Sequence, residues 1–122
     1  MQDRFKFRVV YYNDVEKKYF IFEPDLISAD GTARAYAYGE SGADEYYDTV
    51  TLNQSTGLKD KNGLNLLFEC DIINTEGIKI GNCYENEYLL KDTTNFVIKG
   101  MGTKEWRNSE QEAIKRGCYY AE

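Results

Sequence analysis

The side chains that could do chemistry in this chain are carboxylates and thiols, because its 122 residues include no histidine. Ser-His-Asp triads and histidine-containing zinc sites are therefore excluded. The 21 Asp and Glu residues could supply a carboxylate pair of the kind that glycosidases use. A solvated acidic surface explains the same residues without catalysis. We expect no catalytic residue and no cofactor, and a carboxylate-based enzyme is the less favoured alternative.

One carboxylate spacing is that of a metal-binding loop. Asp60-x-Asn62-Gly63-x5-Glu69 matches the later positions of a calcium-binding EF-hand loop. The first position of such a loop carries a carboxylate, and here it is Leu58. The flanking segments also have the alternation of strands instead of the periodicity of helices. We interpret the segment as a turn and predict no metal site.

The three cysteines, Cys70, Cys83 and Cys118, are odd in number and lack Cys-x-x-Cys spacing. This pattern disfavours both a disulfide framework and a structural zinc site. Cys70 and Cys83 lie in apolar, strand-like contexts, and Cys118 follows the C-terminal end of a predicted helix, which does not activate a thiol. We expect reduced, mostly buried thiols.

Charge and hydropathy limit the partners. A formal net charge of -6 disfavours nucleic acid, whose non-specific affinity comes mainly from Lys and Arg. Residues 1–8 carry charges where a signal peptide needs an apolar stretch, and no run approaches the roughly 18 apolar residues of a membrane span. We predict a cytoplasmic protein with no membrane partner.

The elements that must position these residues are mainly strands. Residues 5–12 alternate as a strand with one face on a core, and residues 19–22 predict the return strand of a hairpin ended by Pro24. Further strands are predicted at residues 33–38, 46–54, 64–68, 77–90 and 95–99, and a mobile loop at residues 39–45. The fold class is mainly β.

A turn and one helix complete the prediction. Residues 56–63 should reverse the chain, with a tight turn over residues 60–63 in which Gly63 takes positive φ and Asn62 tolerates the left-handed region. Ser109 and Glu112 form a capping-box pattern, and Gly117 fits the position beyond a C-terminus. This pattern predicts a helix of about two turns.

The segment Thr56-Gly-Leu-Lys-Asp-Lys-Asn-Gly63, followed by Glu69-Cys-Asp-Ile-Ile73, resembles the hallmark of the YopX family of phage and prophage proteins. The opening Phe5-Lys-Phe-Arg8 and the later Gly81-Asn-Cys-Tyr-Glu-Asn86 are similar to two further segments of that family. Cys70 stands where the family has a glycine. The resemblance implies structural roles for the motif residues Thr56, Gly57, Leu58, Asp60, Asn62, Gly63 and Asp71.

The resemblance also implies an architecture. It implies one domain over residues 1–122, with an N-terminal β-hairpin over about residues 1–24 and an SH3-like barrel over about residues 46–122. It is compatible with a homo-oligomer, and it implies no catalytic residues because the family has no established activity.

These observations favour a non-catalytic phage or prophage accessory protein that binds a phage or host protein, or associates with itself. Arg34, Tyr36 and Tyr38 share one face of a predicted strand, where they could contact a peptide or stack on bases. A weak single-stranded nucleic-acid binder is therefore the main alternative. Ordinary cross-strand packing would also explain these three residues.

Overall fold

The computed structural model describes residues 6–22, 26–27, 33–36, 44–47, 51–100 and 102–120. The chain is mainly β, as predicted from the sequence. It divides into two compact units, one comprising Phe7–Asn53 and the other comprising Met1–Lys6 with Gln54–Glu122.

The first unit contains a β-hairpin and a small antiparallel sheet. Its strands are β1 (Phe7–Asn13), β2 (Lys18–Phe22), β3 (Leu26–Ile27), β4 (Ala33–Tyr36), β5 (Asp44–Tyr47) and the start of β6 (Thr51–Lys59). β1 pairs with β2, which confirms the predicted hairpin. The Asn13 side-chain oxygen accepts hydrogen bonds from the backbone N–H groups of Val15 and Glu16 in the connecting turn, and Lys17 takes a φ of 56° there.

The prediction that β1 buries only one face was wrong. Arg8, Val9 and Val10 are consecutive, so they alternate between the two faces, yet all three are buried. The Arg8 Nε atom donates a hydrogen bond to the Asn53 side-chain oxygen at 3.0 Å. Alternation of residue types did not reveal the second buried face, because a long cation bonded to an amide occupies it.

The small sheet has the order β3-β4-β5. The strand predicted at residues 33–38 is present as β4, and residues 37–38 lie outside the described residues. The loop predicted at residues 39–45 was wrong at Asp44 and Glu45, which pair with β4, while residues 39–43 are not described. The single strand predicted at residues 46–54 is two strands, β5 and β6, because the two ends of that segment pair with different strands.

The second unit contains the rest of β6, five further strands and two helical segments. These are β7 (Leu66–Phe68), β8 (Asp71–Ile73), β9 (Lys79–Asn82), a 3-10 helix (Glu87–Lys91), β10 (Phe96–Val97), α1 (Trp106–Lys115) and β11 (Tyr119–Tyr120). β6 pairs with β7 and β11, and β8 pairs with β9 and β10, all antiparallel. Within the described part of this unit the two ladders are separate and do not close into a barrel.

The core of the second unit lies between the helix and the strands. Its buried residues come from β6, β7, β8, the segment after β10, α1 and the segment after α1: Leu58, Leu67, Ile73, Ile98, Ala113 and Cys118. The partly buried aromatic residues Phe96, Trp106 and Tyr120 pack against them. Burying a large aliphatic side chain contributes about 1.5–3 kcal/mol. The core therefore holds α1 and the ends of both ladders together.

The end of α1 was predicted correctly and its start was not. α1 begins at Trp106, so Ser109 lies within the helix, where it is buried and its hydroxyl accepts a hydrogen bond from the Lys99 N–H at 3.0 Å. From sequence alone, a serine that caps a helix cannot be distinguished from a serine that lies inside the helix and bonds to a neighbouring segment. At the other end, Gly117 takes a φ of 113°, and the N–H groups of Gly117 and Cys118 bond back to the helix as a Schellman motif.

The strand predicted at residues 77–90 is also shorter than expected. β9 ends at Asn82, whose side-chain oxygen accepts hydrogen bonds from the N–H groups of Tyr84 and Glu85. Such an asparagine turn competes with strand pairing. The chain then enters the 3-10 helix. Strands predicted at residues 64–68 and 95–99 are present as β7 and β10.

The Schellman motif gives a test of the helix terminus. Replacing Gly117 with alanine places a Cβ in the left-handed region and about 3.1 Å from the Lys61 side chain. We expect Gly117→Ala to lower the free energy of unfolding by about 1 kcal/mol in chemical denaturation. Gly102→Ala is the matched control, since a Cβ there meets nothing within 4 Å. Equal stability of the two variants would contradict this assignment.

Candidate interaction surface

The hallmark segment begins in a bulged part of β6. Between the pairs Ser55↔Phe68 and Lys59↔Leu66 the register with β7 shifts, and Gly57 takes a φ of 79°. The Thr56 hydroxyl is buried, donates to the Leu67 carbonyl at 2.8 Å and accepts from the Leu58 N–H at 3.0 Å. Thr56 and Gly57 therefore form a β-bulge, with a hydroxyl in place of the lost ladder bonds.

Asp60 organises the turn that follows. Its side chain is completely buried, and its two carboxylate oxygens accept hydrogen bonds from three backbone N–H groups and one side-chain amide. Oδ1 accepts from Leu64 at 3.2 Å and Asn65 at 3.1 Å, and Oδ2 accepts from the Asn65 amide at 3.1 Å and the Lys79 N–H at 3.3 Å. The carboxylate joins the turn to β9.

Asp71 is a second buried carboxylate, at the start of β8. Its Oδ2 accepts a hydrogen bond from the Phe68 N–H at 2.8 Å, and its Oδ1 lies 3.5 Å from the Lys79 Nζ. Lys79 thus contacts both buried carboxylates, Asp60 through its backbone N–H and Asp71 through its ammonium group. This lysine is the cation that partly compensates the buried negative charge.

The tip of the turn, residues 60–63, confirms the predicted tight turn. Gly63 has a φ of 74°, and its N–H bonds to the Asp60 carbonyl at 2.8 Å. Positive φ occurs at Gly63 and not at Asn62, whose side-chain oxygen instead accepts from the Leu64 N–H at 3.3 Å. A Cβ at Gly63 would collide with the Tyr119 hydroxyl. Glycine is favoured here by its backbone conformation, and any larger residue would have to displace the Tyr119 hydroxyl.

Two large side chains are exposed at this turn. Leu64 is 80% exposed and Tyr119, in β11, is 47% exposed. The Tyr119 hydroxyl lies over Gly63, the residue before Leu64, so both exposed residues border the same turn. We call these two residues the Leu64–Tyr119 surface. The sequence did not predict this surface, because Leu64 was assigned to a strand and strand leucines are usually buried. The only sequence feature that distinguished Leu64 was its position directly after the turn glycine.

The surface predicted from Arg34, Tyr36 and Tyr38 stays a prediction. Arg34 and Tyr36 lie in β4, with Arg34 paired to Leu26 and Tyr46 and Tyr36 paired to Asp44. Tyr38 lies outside the described residues.

The residues of the calcium-like spacing serve the backbone in this structure. Asp60 and Asn62 accept the turn N–H groups, and the Glu69 carboxylate accepts from the Gln54 N–H at 3.0 Å. Within the described residues no three His, Cys, Asp or Glu side chains come together as a metal site. The spacing is thus that of a turn stabilised by side-chain oxygens.

The thiols differ in exposure. Cys118 is buried, its Sγ lies 3.5 Å from the Gly77 carbonyl, and burial together with the nearby Asp60 charge raises its pKa to about 11. Cys70 and Cys83 are half-buried, so the expectation of burial is confirmed fully only for Cys118. Cys70 takes a φ of 69°, so this cysteine adopts the left-handed conformation that glycine adopts most easily.

The chain matches no protein-family model, no curated protein and no solved structure. None of the described helices is long and apolar enough to cross a membrane. The resemblance to the YopX family therefore rests on the residues of the hallmark and its two accompanying segments.

Replacing the buried carboxylate tests its role in the turn. In Asp60→Asn, an amide group must face backbone N–H donors that the carboxylate accepted, so at least one donor loses its partner. We expect the free energy of unfolding to fall by about 2–3 kcal/mol in urea denaturation. Asp14→Asn makes the same charge change at an exposed position and should change it by less than about 0.5 kcal/mol. A similar small effect for both would refute the role of Asp60.

The raised pKa of Cys118 gives a pH test. A folded pKa of about 11, above the ordinary value of 9.0, means that the folded state holds this proton more tightly than the unfolded state. The resulting stabilisation is complete below pH 9.0 and is lost as the pH rises through 11. The stability difference between wild type and Cys118→Ala should therefore shrink across this window, since Lys and Tyr titrate alike in both. A constant difference would contradict the assignment.

Proposed function

We propose that this chain is a YopX-like accessory protein of phage or prophage origin that acts in the bacterial cytoplasm by binding another protein, without catalysis. One observation carries the proposal. The motif carboxylates Asp60 and Asp71 are buried and bonded to backbone N–H groups, whereas the large side chains of Leu64, in the turn, and Tyr119, in β11 beside it, are exposed. The buried motif residues hold the turn in one conformation, and the exposed side chains of Leu64 and Tyr119 provide the contact surface.

The character of the Leu64–Tyr119 surface supports a protein partner. Tyrosine is enriched in protein interfaces because it buries a large area with few rotatable bonds. The turn beneath it is fixed by the four hydrogen bonds to Asp60 and by the close packing of Gly63 against Tyr119. A surface that is already ordered loses little conformational entropy on binding.

The net charge of -6 supports a protein partner over nucleic acid. Self-association is the closest alternative within the same class, because a second copy of the chain could cover the same two side chains. Capture and oligomeric-state measurements on the same variants separate these possibilities.

The test compares two exposed aliphatic residues. Tagged wild type, Leu64→Ser and Val15→Ser are used for affinity capture, with and without nuclease treatment, from lysate of a bacterium that carries the relevant prophage. Val15 is 91% exposed in the β1–β2 turn and is the matched control. We expect one enriched protein that binds Leu64→Ser about tenfold more weakly and Val15→Ser unchanged, with equal thermal stability of all three.

Three other outcomes would overturn the proposal. Equal loss of partner binding in both variants would show that the partner does not bind at the Leu64–Tyr119 surface. Partners that disappear on nuclease treatment would assign the binding to nucleic acid. Recovery of the tagged protein alone, with a dimer in light scattering that Leu64→Ser dissociates, would assign the surface to self-association.

A further inference from the structure

Cys70 and Cys83 lie opposite each other at the open end of the β8–β9 hairpin. The last pair of that ladder is Asp71 with Asn82, and Cys70 and Cys83 are the turn residues directly beyond it. The Cys83 N–H donates to the Cys70 carbonyl at 2.9 Å, whereas the Cys70 N–H donates to the Ile98 carbonyl, so one backbone hydrogen bond joins the two cysteines beyond the ladder. The sequence alone, with 12 residues between them, gave no sign of this pairing.

This position suits a covalent bond between the two sulfurs. A backbone N–H···O=C hydrogen bond of this length places the Cα atoms of the two residues roughly 5–6 Å apart. Disulfides join residues whose Cα atoms are about 4.4–6.8 Å apart. We propose that Cys70 and Cys83 are a reversible dithiol–disulfide pair that a low-molecular-weight disulfide oxidises. Both thiols are reduced in the structure.

Accessibility separates this pair from the third thiol. Cys70 and Cys83 are half-buried, within reach of a small oxidant, whereas Cys118 is 3% exposed in the core. Cys70 also occupies a left-handed backbone position, with a φ of 69°, where a glycine would be less strained. Strained positions of this kind are held by their surroundings, here by hydrogen bonds to Ile98 and Cys83.

The exchange proceeds in two balanced steps. One cysteine loses its proton to solvent, and its thiolate attacks glutathione disulfide, forming a mixed disulfide and releasing one glutathione thiolate. The thiolate of the second cysteine then attacks the protein sulfur of that mixed disulfide and releases the second glutathione. The protein thiols lose two electrons, and the oxidant disulfide gains them.

The bond would join the start of β8 to the end of β9 and to the turn after Asn82. Closing a loop of roughly 15 residues restricts the unfolded chain, so the oxidised protein should melt on the order of 10 °C higher than the reduced protein. The cross-link would also hold the strained backbone of Cys70 in place.

The test equilibrates the native protein with glutathione redox buffers, alkylates the remaining thiols, and maps the products by mass spectrometry. We expect an intramolecular Cys70–Cys83 disulfide in wild type and in Cys118→Ala, with Cys118 of wild type unmodified. Cys83→Ser should instead accumulate a glutathione adduct on Cys70, which shows that the first step works and the second needs Cys83. Thermal melting of oxidised and reduced wild type measures the stabilisation.

Persistent glutathione adducts on both Cys70 and Cys83 of the wild type would show that the two sulfurs cannot meet. Cross-links between chains, or any disulfide that includes Cys118, would likewise overturn the proposal. Should Cys83→Ser unfold, Cys83→Ala gives the same readout on Cys70, and Cys70→Gly, which relieves the left-handed strain, should accumulate the glutathione adduct on Cys83 instead.

Discussion

The rest of the second unit depends on how the Asp60 carboxylate is accommodated away from water. An isolated buried carboxylate is costly, and its charge must be met by donors or cations. Here the donors are backbone N–H groups of the turn and of β9, with the Lys79 ammonium bound to the neighbouring buried carboxylate Asp71. Segments far apart in the sequence, residues 60–65 and residue 79, must therefore come together before the carboxylate can be buried. Burial of the Asp60 carboxylate is therefore compatible with only one arrangement of these chain segments.

Five further residues of the hallmark have structural roles in this arrangement. Thr56 and Gly57 create the bulge that interrupts the pairing with β7 between Ser55 and Lys59, and Leu58 anchors the strand in the core. Asn62 and Gly63 then close the turn beneath Tyr119. The resemblance that the hallmark carries is consequently one of scaffold.

Local chemistry made part of this structure predictable. The β1–β2 hairpin, the Gly63 turn and the Gly117 helix end depend on residues within a few positions of each other, and all three were predicted from sequence. The long-range contacts were not. Arg8 is buried because Asn53 lies beside it, and Ser109 is buried within α1 because its hydroxyl bonds to Lys99. The single strand expected at residues 46–54 became two because its ends pair with different strands, and the Leu64–Tyr119 surface exists only because β11 pairs with β6.

Native-state amide hydrogen exchange, measured residue by residue by NMR, tests most directly whether Asp60 holds these segments together. We expect the amides of Leu64, Asn65 and Lys79 to exchange with one common opening free energy, close to that of the core amides of the second unit. The amides of Val15 and Glu16 bond to an exposed asparagine turn and should exchange much faster. Fast exchange at Leu64 and Asn65, similar to that at Val15 and Glu16, would show that the Asp60 turn opens independently of the core. It would contradict the conclusion that Asp60 holds these segments together.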